Sequence, residues 1–148
     1  RHYELLLKSK LEELIYLFYF YRLVERKTSD DHYRKNEKIR EIIDYINQHY
    51  AENLTIDKLS LLMGYSKTHF MTIFKQQTGT SCTEFIIQAR LNAACEELRN
   101  SVKPVLEIAT DVGFNNLSNF NRQFKHYYDQ TPSQYRKTHS NNKKTKKS

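Results

Sequence analysis

The 148-residue chain carries 24 Lys and Arg against 17 Asp and Glu, a formal charge of +7, with 3 glycines and 2 prolines. That length suits one or two small domains and excludes a large enzyme. The basic balance suits a polyanion, either nucleic acid or an acidic membrane surface. The most apolar stretch, Leu14–Tyr21, is far shorter than the roughly 20 residues that span a bilayer, and no signal peptide is visible. Cys82 and Cys95 have neither C-x-x-C spacing nor histidine neighbours, so they read as reduced, partly buried thiols of a cytoplasmic protein. Arg1 in place of Met reads as the start of a fragment.

Residues 3–24 lack Gly and Pro, and Tyr3, Leu7, Leu11, Leu14, Phe18 and Tyr21 recur at helical spacing. A helix this apolar must bury its stripe against a partner. Residues 28–35 are polar and read as a linker, with Asn36 as the N-cap of a helix striped by Ile39, Ile42, Ile43 and Ile46. Thr55 suits the cap of the next helix, with Leu59 and Leu62 inward, and Gly64 its stop. Ser66 caps a helix whose inner face is Phe70, Ile73 and Phe74, and Gly79 follows as a left-handed C-cap. Ser81 and Glu84 form a capping box opening a long helix to Asn100. Pro104 falls in the first turn of a helix that Gly113 ends. A helix over 116–128 buries Phe120 and Phe124, and Thr131, Pro132 and Gln134 make a second capping box. From Lys137 on, apolar residues all but vanish and the chain reads as a disordered basic tail.

The chain repeats itself. Leu59-Ser60, Gly64-Tyr65, Phe70 and Phe74-Lys75 answer Ile108-Ala109, Gly113-Phe114, Phe120 and Phe124-Lys125. Gly79 answers Asp129, and Phe85 answers Tyr135. The offset is 49 residues at the Gly64–Gly113 pair and 50 after one inserted residue. Each copy reads as a short helix, a glycine turn and a second helix pinned by an aromatic pair, the pattern of a helix-turn-helix. The predicted fold is therefore all-α: two helix-turn-helix subdomains joined by a long linker helix and preceded by an amphipathic helix. The domain plan is an N-terminal helix over 1–27, a linker over 28–36, a bipartite helix-turn-helix domain over 37–137 and a tail over 138–148.

With the aromatic faces inward, polar side chains remain outside. Thr68, Met71, Thr72, Ser118, Asn119, Asn121 and Arg122 are the candidate base readers. Arg can grip guanine O6 and N7, Asn can do the same to adenine, and Thr or Met can touch a thymine methyl. Ser66, Lys67, Lys75, Asn116 and Lys125 suit phosphates.

The segments LTIDKLSLLMGYSKTHFMTIFKQQTG (54–79) and EIATDVGFNNLSNFNRQFKHYYDQTPSQYR (107–136) resemble the AraC/XylS family of bacterial transcription regulators. The GF, F-x-x-x-FK and TP-x-x-YR elements carry the resemblance, which runs from about Lys38 to Arg136. It implies two helix-turn-helix subdomains that read adjacent major-groove segments of double-stranded DNA. It also implies transcriptional regulation, usually activation, with RNA polymerase as a partner. By position it places Thr68, Met71 and Thr72 on the first recognition helix, and Ser118, Asn121 and Arg122 on the second. Asp129 stands where the family usually has Gly, and Thr72 where Arg is common. The resemblance further implies that residues 1–26 are the last, dimer-forming helix of a sensor, giving a homodimer, with an effector-binding domain upstream.

Other functions find less support. There is no H-E-x-x-H, G-x-S-x-G or P-loop, and His2, His32, His49, His69, His126 and His139 show no metal-ligand pairing, so neither enzyme, metal nor cofactor is expected. A protein-interaction module would use the N-terminal stripe but leaves the glycine–aromatic repeat unexplained. An architectural DNA-bending protein would not need such polar recognition faces.

Overall fold

The computed structural model describes residues 10, 11, 14, 15 and 30–140. Its continuous helices are α1 (Asp30–His49), α2 (Ile56–Met63), α3 (Lys67–Thr78), α4 (Cys82–Asn100), α5 (Val105–Asp111), α6 (Leu117–Tyr128) and α7 (Pro132–His139). No strand occurs among the described residues, and no described helix is long and apolar enough to cross a membrane. The all-α expectation holds, with helix pairs α2–α3 and α5–α6 joined by α4.

The chain divides into two compact units, Arg1–Arg40 and Glu41–Ser148. In the first, Lys10, Leu11, Leu14 and Ile15 are helical, and Leu11, Leu14 and Ile15 are exposed. The rest of the helix expected over 3–24 lies outside the described residues. In the second, successive helices start where the sequence supplies a cap. Oxygens of Thr55, Ser66, Ser81, Asn116 and Thr131 accept the backbone N–H three residues on, from Lys58, His69, Glu84, Asn119 and Gln134. Each such bond satisfies a donor that the helix start leaves unpaired and stabilises it by about 1 kcal/mol.

Several local expectations are corrected. Residues 30–36 are helical, so the linker expected over 28–36 does not extend past Asp30 and Asn36 lies inside α1 rather than at its cap. Nothing in Arg34–Lys38 breaks a helix, and Asn is only mildly unfavourable in its interior. Leu62 is 56% exposed, and Met63 is buried beside Leu59 in its place. Pro104 is the N-cap of α5, one residue before the first turn. The Ser81 box is present as its N-cap bond, whereas Thr131 and Gln134 close both halves. Lys137–His139 belong to α7 rather than to the tail expected from Lys137 on, and the His139 ring stacks on Tyr135 at 4.2 Å. Residues 141–148 lie outside the described ones.

Leu59, Met63, Phe70, Ile73 and Phe74 are buried in the first helix pair, with Cys82 and Ile86 at the start of α4. In the second, Leu91, Ala94, Cys95 and Leu98 of α4 join Ile108, Ala109, Val112, Phe114, Phe120, Phe124 and Tyr135 in one cluster. Each fully buried Phe contributes about 1.5–3 kcal/mol of transfer free energy. α4 packs on α3, α5 and α7, so one helix serves both halves. Its 19 residues reach roughly 28 Å at 1.5 Å per residue.

Candidate nucleic-acid interface

The sequence repeat is also a repeat of geometry. At the first turn, Gly64 N–H donates to Leu61 O and Tyr65 N–H to Ser60 O, both at 3.0 Å. At the second, Gly113 N–H donates to Thr110 O at 3.0 Å and Phe114 N–H to Ala109 O at 2.9 Å. Both glycines have positive φ, 71° and 103°. Behind the turns, Phe70–Phe74 ring centroids lie 5.8 Å apart and Phe120–Phe124 5.7 Å. Phe74 meets Phe85 at 5.6 Å and 77°, and Phe124 meets Tyr135 at 5.5 Å and 78°. Gly79 and Asp129 both end their helices in the left-handed conformation, with N–H groups donating to Lys75 O and Lys125 O at 2.9 Å.

With Phe70, Ile73 and Phe74 buried, α3 leaves Lys67, Thr68, His69, Met71, Thr72 and Lys75 exposed. α6 buries Phe120 and Phe124 and exposes Ser118, Asn121, Arg122, Lys125 and His126. Neither helix contains an Asp or Glu. Acidic residues fall on the other helices and in the connections, among them Asp57 on α2, Glu84, Glu96 and Glu97 on α4, and Glu107 and Asp111 on α5. The outer faces of α3 and α6 themselves thus carry no carboxylate, although Asp57 of α2 lies beside Lys67 and Asp129 follows α6.

Several candidates make bonds within the protein. Ser66 and Asn116 are N-caps, so their side-chain oxygens are already used. Thr72 Oγ1 donates to Thr68 O at 2.9 Å, leaving a base its methyl group and lone pairs. Lys67 lies 3.6 Å from Asp57, a solvent-exposed pair of small worth. Asn119 is half-buried, and its Oδ1 accepts from Arg122 Nη2 at 2.9 Å. That bond holds Arg122 from within its own helix.

A cleft of about 510 Å³ runs along α6. Val105, Leu117 and Pro132 are its apolar lining, and Asn121, Arg122, Lys125, Thr131 and Ser133 its polar one. Three of the predicted site residues, Asn121, Arg122 and Lys125, therefore come together beside the starts of α5 and α7.

The struts that hold these surfaces in place were not legible as site residues. Arg90 on α4 donates from Nε to Tyr50 O at 2.7 Å and from Nη2 to Glu52 O at 2.9 Å. Its partial burial lowers the guanidinium pKa from its ordinary value. Arg136 on α7 donates from Nη2 to Lys103 O at 2.6 Å, and Arg99 Nη1 donates to Tyr135 Oη at 3.0 Å. Arg136 was visible only as the last letter of TP-x-x-YR, and Arg90 only as a cation in a mostly apolar stretch. Among the described residues no group of three His, Cys, Asp or Glu could hold a metal.

A family model described as a helix-turn-helix domain matches residues 59–138. The chain is 37% identical over 98 residues to the regulatory protein SoxS of Salmonella typhimurium, spanning 66% of this chain and 92% of SoxS. The C-terminal domain of AraT, a response regulator from Geobacillus stearothermophilus, has a similar structure: TM-score 0.67, 28% identity, 70% of this chain and 86% of that one. A probable AraC family transcriptional regulator from Rhodopseudomonas palustris matches with TM-score 0.64 and 26% identity, over 70% of this chain and 98% of that one.

Proposed function

Because the chain belongs to the AraC/XylS family of DNA-binding transcription regulators, we propose that α3 and α6 enter two successive major-groove segments on one face of the duplex. The observation that carries this is the duplicated turn: the same backbone hydrogen bonds and ring distances present two acid-free polar helices in matching ways. A regulator of this family acts on DNA in the bacterial cytoplasm. Its chemistry is recognition, without a catalytic step.

In this reading Arg122 grips a guanine and Asn121 an adenine. Asn119 orients Arg122, and Ser118 sits at the base edge beside them. On α3, Thr68, Met71 and Thr72 face thymine methyls. Lys67, Lys75 and Lys125 meet phosphates, and Ser66 and Asn116 hold the helix N-termini toward the backbone. The test is selection from a random duplex pool at about 0.15 M salt, where nonspecific phosphate binding is weak. Two short motifs about one helical turn apart, roughly 10 bp, are expected. One motif alone would restrict base reading to one unit, and no enrichment would overturn the reading.

Family membership also supports three extensions. RNA polymerase is the partner, and the protein activates; transcription from a promoter carrying the selected site should rise when the protein is added. A homodimer forms through residues 1–27; sedimentation should show its loss when residues 1–26 are removed. An effector-binding domain lies upstream; the longer polypeptide should bind a small molecule that this chain does not.

A further inference from the structure

The two helix-turn-helix halves touch through Arg90, Ala51 and Gly113. Arg90 leaves α4 and holds two carbonyls of the segment that ends α1, Tyr50 O and Glu52 O. Its guanidinium carbon lies 6.0 Å from the Phe114 ring of the second turn. A Cβ on Gly113 would stand 2.9 Å from Ala51 O, 2.9 Å from Arg90 Nε and 3.0 Å from Ala51 Cα. The second turn therefore backs onto the first half with no room for a methyl group.

The repeat supplies an internal control. Gly64 occupies the same place in the first turn, also at positive φ, yet a Cβ there meets nothing within 4 Å. The turn conformation favours glycine at both positions, and only at Gly113 does close approach require it as well. Arg90 has no counterpart in the repeat reasoning either: it lies on α4, between the copies.

We infer that Arg90 and Gly113 form a strut fixing the angle and offset between α3 and α6, so that the protein reads the spacing between its two half-motifs as part of its recognition sequence. α4 packs on both halves through separate buried faces, Cys82 and Ile86 toward the first and Leu91, Ala94, Cys95 and Leu98 in the cluster of the second. Arg90 adds a polar tie between these faces. The strut ties α4 to the first half by two hydrogen bonds, and the second turn closes on it at Gly113, none of these contacts using an exposed side chain of α3 or α6. One inserted base pair turns the second groove segment by about 35° and moves it by about 3.4 Å, a mismatch that a braced pair of helices cannot follow. Arg90 is thus a positioning residue. The inference rests on the two-groove reading above.

The test uses the full chain and its Arg90→Met variant, which keeps the stem and removes the guanidinium. Each is titrated with the selected duplex and with versions whose spacer is one base pair longer or shorter. The native chain should prefer the selected spacing by tenfold or more, and Arg90→Met should reduce that preference to threefold or less. A tenfold preference retained by a folded Arg90→Met overturns the strut. A second readout needs no DNA: spin labels at Gln76→Cys on α3 and His126→Cys on α6. Their distance distribution should be narrow in the native background and broad with Arg90→Met or Gly113→Ala, checked for helical content by circular dichroism. An unchanged distribution in the folded variants overturns the strut even when a two-part motif is found. Broadening without a two-part motif would leave the strut standing and sink the two-groove reading.

Discussion

Arg122 Nη2 donates to Asn119 Oδ1 at 2.9 Å, and the Asn119 N–H is in turn held by Asn116 Oδ1 at 2.7 Å. The cap of α6 is thereby linked through one asparagine to the cation most suited to reading a base. An arginine already held gives up less rotamer freedom when it meets its target. Arg122→Ala should cost about 1–3 kcal/mol of binding and relax preference at one base pair. Asn119→Ala should cost less and relax the same base pair, because it acts through Arg122. A double-mutant cycle checks this: additive losses would separate the two residues, and coupling would join them.

Three of the four described positive-φ positions, Gly64, Gly113 and Asp129, should respond differently to a change of side chain. Gly64→Ala meets open space, so only the backbone cost of about 1–2 kcal/mol applies. Gly113→Ala carries a similar cost plus the collision with Ala51 and Arg90, and should lower stability further. Asp129 holds φ at 56° where its counterpart Gly79 holds 80°. Asp129→Gly should therefore raise stability by up to about 1 kcal/mol. Thermal unfolding of the three variants ranks them directly.

The elements with a chemical punctuation mark were legible in the sequence. Thr55, Ser66, Ser81 and Thr131 cap helices as expected, because a cap is a local interaction between residues three apart. The start of α1 was misread because several residues there suit a cap, Ser29 and Asp30 as well as Asn36, and the expectation rested on the last alone. Leu62 was misplaced because on the eight-residue α2 a one-position shift of the apolar stripe exchanges it with Met63. Arg90 and Arg136 escaped notice because their partners are backbone carbonyls 33–40 residues away, to which sequence spacing is blind. The outer face of α6 was readable by subtraction, once Phe120 and Phe124 were assigned inward. The Arg122–Asn119 bond within it was not.

Both cysteines are free and buried, Cys82 at 2% exposure and Cys95 at 4%. Burial pushes the Cys82 thiol up to about 12 from its ordinary 9.0. The thiolate is the reactive form, so alkylation at pH 8 should be negligible in the native chain and rapid in denaturant. The raised value also fixes the sign of a pH effect. Below pH 9 the neutral thiol is present in both folded and unfolded chains, and its stabilising contribution is complete. As pH rises from 9.0 toward about 12 the unfolded chain ionises first, and that contribution is lost. Cys82→Ala should flatten the alkaline part of the stability profile; an unaltered slope would assign it to other groups.

Lys75 and Lys125 occupy equivalent positions in the two copies, each one residue after the second Phe, and both are exposed. An ammonium is a point charge without arginine's fork, and the role proposed for both lysines is contact with phosphate. Lys75→Ala and Lys125→Ala should each weaken binding to all duplexes alike. Each should also reduce the slope of log affinity against log salt by about 1. Arg122→Ala, by contrast, should change sequence preference, with its loss largest on the selected duplex. Titrations of the selected and a scrambled duplex at several salt concentrations separate the two behaviours. A lysine variant that loses affinity only for the selected duplex would move that residue from the backbone to a base edge. It would also mean that its recognition helix sits deeper in the groove than the exposed Thr68, Met71 and Thr72, or Ser118 and Asn121, would suggest.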